Sequence, residues 1–364
     1  MKILYLSFIS EKYIGVHKKI NAQIKSLEKV TNYKISECRI KGESLYLNEK
    51  KIGNYNCGEK MYQKVLRKFQ EYFILKKLQD EKIYKDLKYV YIRRFGATTW
   101  LINYLKFLKK LNKKIILEVP TYPYDNEVLK EHYFVKQDKI WRKEYYRYVD
   151  KIVTYSDDKY IWNIPCINIS NGVDLEEIKL VEKKIYKGIN FISVSNCSFW
   201  HGIDRFLYSL LQYKKSDGKE KIKFHIVGEG SETAKLKKIV EDNIELHDIV
   251  IFHGFKLGKE LDEIYNNSDI ALGSLGNHRK GLLDGGGLKN REYCAKGIPF
   301  IKAGYDRFEN CQFIYDVPND ESLLDIEKII EWYKNLKVTP EEIRKYAEEN
   351  LTWDKQMKKV IDSI

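Results

Sequence analysis

Residues 273–299, from Gly273 to Pro299, read GSLGNHRKGLLDGGGLKNREYCAKGIP. The stretch opens at the end of the apolar run Ile270–Gly273, which suits a buried strand. Three consecutive glycines, Gly285 to Gly287, then precede a helical pattern that starts near Leu288. Glycines in front of a helix N-terminus leave backbone N–H groups open to a diphosphate, and the helix dipole favours the negative charge. Lys289, Arg279 and Lys280 add positive charge nearby, and Glu292, one turn into the helix, offers acceptor oxygens for a ribose diol. A flexible loop alone would explain the glycines, but not the glycines, bases and acid together. Strand, glycine loop, helix is the repeating step of an open α/β sheet, where ligands bind beyond the carboxyl ends of the strands.

Outward from this stretch the same step recurs. Towards the N-terminus of this half come strand candidates at Asn190–Ser195, Lys223–Val227 and Ile249–Phe252, with Pro299–Lys302 following, and helical segments near 203–213, 231–242, 258–267, 289–296 and 321–335. The first half has its own series, with strands at Ile3–Ser7, Tyr89–Ile92, Ile115–Val119, Ile152–Tyr155 and Cys166–Ile169. Between them, Ile20, Ile24, Leu27 and Val30 share one helix face; Tyr62, Val65, Leu66, Phe69 and Phe73 form a second stripe, and Leu101, Leu105, Leu108 and Leu111 a third. Strands alternating with helices imply parallel sheets with right-handed crossovers. Two blocks predict two doubly wound, Rossmann-like α/β domains facing a cleft: residues 1–172, and residues 173–351 after the turn-rich Asn171-Gly172-Val173-Asp174. A length of 364 residues agrees with two domains.

Composition narrows the class. Apolar residues make up 43% and charged residues 32%, so the chain can bury cores and is not disordered. No run approaches the roughly 18 apolar residues of a spanning helix, and the opening MKILYLSFIS, closed by Glu11-Lys12, reads as a core strand rather than a leader. The six cysteines are scattered with no C-x-x-C, against a disulfide scaffold or zinc site and in keeping with a reducing cytoplasm. The net charge of +13 is uneven. Residues 1–172 hold 35 Lys+Arg against 19 Asp+Glu, a net of +16, and residues 173–364 hold 30 against 33, a net of −3. One half therefore faces an anionic partner, a lipid surface or nucleic acid. No helix-turn-helix, zinc-finger or RNP-like signature accompanies the charge, so no nucleic acid is expected.

Two weaker motifs lie just after strands. Gly15, in Tyr13-Ile14-Gly15-Val16-His17, opens a helix after the first strand, without G-x-G-x-x-G. The run Ser193 to Arg205 contains Asn196 and the sequence Trp200-His201-Gly202-Ile203-Asp204-Arg205; Gly202 permits close approach, and His201 and Arg205 suit phosphate, unless His201 is simply a core histidine.

Asp284 and Glu292 form an acid-x7-acid pair, followed by Gly297 and Pro299. With the glycine loop after the first strand, Ser170-Asn-Gly-Val-Asp174, W-H-G at 200–202, Val227-Gly228-Glu-Gly230, His253-Gly254 and Asn267-Ser-Asp-Ile270, this resembles the E-x7-E signature of retaining glycosyltransferases of group 1, family 4, with the two-domain GT-B fold. The LKxREYxAxGIP variant with HRKG upstream is similar to bacterial enzymes that build capsular or surface polysaccharides. Departures are Asp284 in place of the first Glu, and Asn196 and His201 where the family commonly has Arg and Lys on the donor phosphates; its N-domain histidine has no clear match, with Glu118-Val-Pro-Thr-Tyr-Pro-Tyr124 in that region.

The resemblance implies hexosyl transfer from a nucleotide-diphosphate sugar to a glycan or polyprenyl-diphosphate-linked acceptor, with retention by a front-face route. It implies a catalytic set of Asp284, Glu292, Lys289 and His201, and a donor-binding set of Gly15, Asn196, Arg205, Arg279, Lys280, Gly286, Gly287, Leu288 and Gly228. No D-x-D triplet occurs, so no metal and no cofactor are expected. The first domain takes the acceptor and the second the donor. Thr352-Trp353 and the face of Met357, Val360 and Ile361 resemble the family's terminal helix, which crosses back to the first domain. A sugar-nucleotide 2-epimerase of the same fold, or a degenerate homologue that binds without turnover, is the rival reading. Base and aromatic interleave from Lys60 to Phe73 and from Trp100 to Lys114, which predicts a cytoplasmic enzyme held peripherally on an anionic membrane.

Overall fold

In the computed structural model, residues 2–58, 60–124, 133–183, 187–280, 287–308 and 311–364 are described. The chain forms two units, Met1–Ser170 with Trp353–Ile364, and Asn171–Thr352.

The first unit runs β1 (Ile3–Ser7), α1 (Ile14–Thr31), β2 (Ser36–Lys41), β3 (Ser44–Leu47), β4 (Lys50–Asn54), α2 (Met61–Lys77), β5 (Tyr89–Arg93), α3 (Thr99–Lys110), β6 (Lys114–Val119), α4 (Tyr133–Trp141), β7 (Lys151–Thr154), β8 (Tyr160–Ile161) and β9 (Ile164–Asn168). The strand order is β4-β3-β2-β1-β5-β6-β7-β9-β8, parallel from β2 to β9 with antiparallel edges. β1 is buried throughout because its alternate side chains serve two cores. Leu4 and Leu6 face Ile74, Leu75, Leu101 and Leu105 of α2 and α3, while Ile3 and Tyr5 face Ile20, Ile24 and Leu27 of α1. The β3–β4 hairpin carries no long apolar run and was not legible as strand; it pairs on the exposed edge, where only one face need be apolar.

The second unit runs β10 (Ile189–Val194), α5 (Ile203–Lys215), β11 (Ile222–Val227), α6 (Thr233–Glu241), β12 (Val250–Gly254), α7 (Gly258–Asn266), β13 (Ile270–Leu272), α8 (Leu288–Lys296), β14 (Phe300–Ala303), β15 (Ile314–Val317), α9 (Ile326–Asn335) and α10 (Pro340–Asn350). All six strands are parallel, in the order β12-β11-β10-β13-β14-β15. α5 and α9 cover one face, and α7, α8 and α10 the other. A last helix, α11 (Trp353–Asp362), belongs to the first unit, where Trp353, Met357 and Val360 are buried against α1.

One stripe kept its period but not its partner. Tyr62, Leu66, Phe69 and Phe73 do share a face of α2, but that face is exposed; α2 buries Glu71, Ile74 and Leu75 instead.

Candidate functional site

α8 follows β13, so its N-terminus lies on the carboxyl side of the second sheet, as do the loops that leave β10 and β11. Gly287 is its N-cap residue, with extended backbone at φ −67°, and Gly297 ends it in the left-handed conformation at φ 76°. A Cβ at Gly297 would stand 2.5 Å from the Pro340 carbonyl oxygen, so glycine fits this helix end where a side chain would not. Asp284 and Gly286 lie outside the described residues. Leu288 is exposed and Gly287 half-buried at the helix start.

Lys289 is the unusual group. Its Nζ is sealed from solvent and has no hydrogen-bond partner among the described residues. Burial drives its pKa down to about 7, with the Cys197 sulfur opposing. His201, in the loop after β10, lies within reach of the same charge: burial first, with Lys289 and Lys280 adding to it, lowers its pKa to about 2. Its Nδ1 accepts from the Ser198 backbone N–H at 3.1 Å, so the neutral ring carries its proton on Nε2. His201 therefore offers one N–H and no charge, and the cation at this point is Lys289, arriving from α8 instead of the β10 loop. Asn196 is exposed in that loop, its Oδ1 accepting from the Ser198 hydroxyl at 3.0 Å. Glu292 is half-buried, and the Tyr265 hydroxyl donates to its Oε1 at 3.4 Å.

The loops after β10 and β11 touch through backbone. A Cβ on Gly228, at φ 108°, would fall 1.9 Å from the Ser195 carbonyl oxygen, and one on Gly230 would fall 1.6 Å from that of Asn196. Gly228 thus has a packing duty whatever it does for a ligand.

Two arginines expected on phosphate are spent elsewhere. Arg205 is buried; its Nε donates to the Ser322 carbonyl at 2.6 Å and its Nη1 to those of Leu275 and Pro318 at 2.9 Å each. Arg279 donates to the Phe199 carbonyl, to Asp204 at 2.8 Å, and to both oxygens of Glu321 at 2.7 Å, which together hold it protonated. A guanidinium with its fork filled by protein oxygens braces a loop and has little left for a ligand. Lys280 is exposed, its Nζ 3.7 Å from the Trp200 ring centroid, and adds its field to His201. Gly15 lies in α1 of the first unit, where a Cβ would meet nothing within 4 Å.

Residues 176–349 match the family Glycosyl transferases group 1. That match spans nearly the whole of the second unit. The fold of the whole chain is GT-B. A glycosyltransferase from Rickettsia africae ESF-5 superposes at a TM-score of 0.66 with 14% identity, covering 100% of this chain and 97% of that one. The lipopolysaccharide outer core galactosyltransferase WaaB superposes at 0.63 with 13% identity, covering 100% of both chains. WaaG, a glycosyltransferase involved in lipopolysaccharide biosynthesis, superposes at 0.57 with 10% identity over 100% of this chain and 99% of that one. No curated protein matches the chain in sequence.

Within the second unit, sequence reading missed Asp306. It takes Arg291 from both Nη atoms, at 2.6 and 2.5 Å, and the Asn290 amide at 2.8 Å, all buried. This cluster fixes the first turn of α8 to the loop after β14. A lone acid two residues beyond a glycine gives no hint of it, because the pairing is made only across the sheet. In the first unit, Glu118 is fully buried, bonded to Arg93 at 2.5 Å and to the Tyr91 and Tyr155 hydroxyls at 3.0 Å. Burial works to raise its pKa, but Arg93 and Lys19 outweigh that and hold it low. It therefore ties strands together rather than facing a ligand.

Proposed function

We propose that this glycosyltransferase moves a hexosyl group from a nucleotide-diphosphate sugar to a glycan or polyprenyl-diphosphate-linked acceptor, with retention, in surface polysaccharide synthesis. The reading gives the donor to the second unit and the acceptor to the first. The observation that carries it is the buried Nζ of Lys289 at the start of α8, without a hydrogen-bond partner among the described residues. A buried ammonium without a counter-charge is costly, and a diphosphate at the adjacent helix N-terminus would supply one. WaaB and WaaG, by their names, serve lipopolysaccharide, and that setting supports the glycan class of acceptor.

In this reading the barrier is charge separation as the anomeric C–O bond to the diphosphate breaks. Lys289 and the backbone N–H groups of α8 stabilise the leaving diphosphate. The His201 Nε2–H donates a neutral hydrogen bond to an oxygen of the donor. Glu292 accepts from the ribose hydroxyls, and Asp284 from the sugar hydroxyls. The acceptor hydroxyl attacks on the face the diphosphate leaves, so its proton passes to the departing phosphate oxygen and configuration is kept. No metal is required. The enzyme is held peripherally at an anionic membrane by the basic first unit. Among the described residues no helix is long and apolar enough to cross a membrane.

The test begins with thermal shifts against UDP-, GDP-, ADP- and dTDP-sugars. A donor at 100 times its Kd should add about 2.7 kcal/mol to stability. With that donor, Glu292→Ala should abolish turnover and keep the melting curve, EDTA should leave activity in place, and the product should show the donor's anomeric configuration by NMR. Near-native turnover in Glu292→Ala, loss in EDTA restored by manganese, or a 2-epimerised nucleotide sugar would each overturn part of this reading.

A further inference from the structure

α2 turns an apolar face to solvent. Met61 is 69% exposed, Phe69 62% and Phe73 58%, with Tyr62 and Leu66 beside them, on one side of a helix that normally would bury such a stripe. α3 packs alongside α2. Between the two helices lies a groove of about 400 Å³. Lys76, Lys106 and Lys110 line it; all three are exposed and none makes an ion pair or side-chain hydrogen bond among the described residues. Among the described residues no acidic one lines it. Trp100 lines it too, and its indole Nε1 is buried without an acceptor among the described residues. The Tyr72 ring meets Trp100 edge-on at 6.1 Å inside the groove and packs on Phe73 at 5.2 Å outside it, so groove and apolar face are one continuous surface.

We propose that this groove takes the phosphate-bearing headgroup of an anionic phospholipid, while α2 lies in the leaflet surface with Met61, Phe69 and Phe73 at the acyl boundary. The proposal rests on the reading of a membrane-held enzyme and gives it a site. Three cations without counter-ions and one buried N–H without an acceptor among the described residues together want an oxygen-rich anion. A free phosphate would use those donors and leave the aromatic face in water. A lipid uses both at once, since an amphipathic helix with basic flanks settles at the headgroup level. The two stretches that interleave base and aromatic, 60–73 and 100–114, are the ones that α2 and α3 bring together.

The experiment is co-sedimentation of the full chain with vesicles of phosphatidylcholine alone, or with about one-third phosphatidylglycerol, an anionic surface that basic residues should favour. Wild type should bind only the anionic vesicles, less as salt rises past about 0.15 M. A Lys76→Gln, Lys106→Gln, Lys110→Gln variant should lose at least about tenfold in partitioning, and so should Phe69→Ser with Phe73→Ser. Trp100→Phe, which keeps the ring and removes the N–H, should weaken binding several-fold. Every variant except Trp100→Phe changes exposed side chains only, and equal melting curves serve as the fold control. If wild type binds but the lysine variant binds equally, the groove is wrong and membrane attachment stands. If wild type binds neither vesicle, both fall. Stabilisation by inorganic phosphate that the lysine variant loses, without vesicle binding, would overturn the lipid in favour of a soluble anion.

Discussion

Lys289 works against the fold that holds it. In the unfolded chain a lysine keeps its proton up to about pH 10.4, whereas here burial lowers the pKa to about 7. Between those values the unfolded state binds more protons, so this group makes stability rise with pH across that window and weighs most at or below pH 7. Lys289→Met should therefore raise Tm at pH 7 and lose donor binding, a pairing that separates a ligand contact from a core residue. The sign for binding is opposite. A diphosphate prefers the protonated amine, so donor affinity should be flat below pH 7 and fall by up to about tenfold per pH unit above it. Calorimetric titration of the nucleotide sugar found in the screen checks both, and a pH-independent Kd would remove Lys289 from the phosphate. Arg205 should behave otherwise. Arg205→Ala strands buried carbonyls at about 1–3 kcal/mol each, so thermal melts should show lost stability with no selective change in KM.

At the scale of the elements, the second unit's site rests on two loops in backbone contact. Gly230→Ala would drive a Cβ to 1.6 Å from the Asn196 carbonyl oxygen, and only movement of the β10 loop could relieve it. That loop carries His201, so the variant should lose stability and donor affinity together. Gly15→Ala is the contrast. Its Cβ falls in open space within α1, where alanine should stabilise the helix by roughly 0.5–1 kcal/mol. If Gly15 meets the donor, turnover should fall while denaturant melts show that gain; unchanged kcat/KM would make it an ordinary helix residue. The elements themselves were mostly readable. β1, β5, β6, β10, β11 and α8 came out within a residue or so, because both sheet faces are covered and the apolar runs are unbroken. β2, β3, β4 and β15 did not, because strands at or near a sheet's edge can leave part of their surface polar, and α10 hid among its charges.

At the scale of the whole molecule, the chain returns to its first unit through α11. Ser170 N–H donates to Gln356 Oε1 at 2.9 Å, and Met357 is fully buried against α1. Met357→Ala should cost about 2–5 kcal/mol, and hydrogen exchange should locate the loss in α1 and the first sheet, with the second unit's protection unchanged; loss confined to the second unit would refute this. Two α/β blocks, the glycine-led helix at 288 and the family resemblance were determined by sequence alone, since apolar period and glycine placement are local and survive without coordinates. Which cations stay available was not. Lys289, Arg205 and Arg279 look alike in the chain, yet one Nζ is buried without a partner among the described residues while two guanidinia are filled by carbonyls and carboxylates far away in sequence. The α2 stripe has the period of a core helix, and only tertiary packing turned it outward. Periodicity fixes which residues share a face, but the partner that covers a face, or a charge, is a long-range choice made when the sheet assembles.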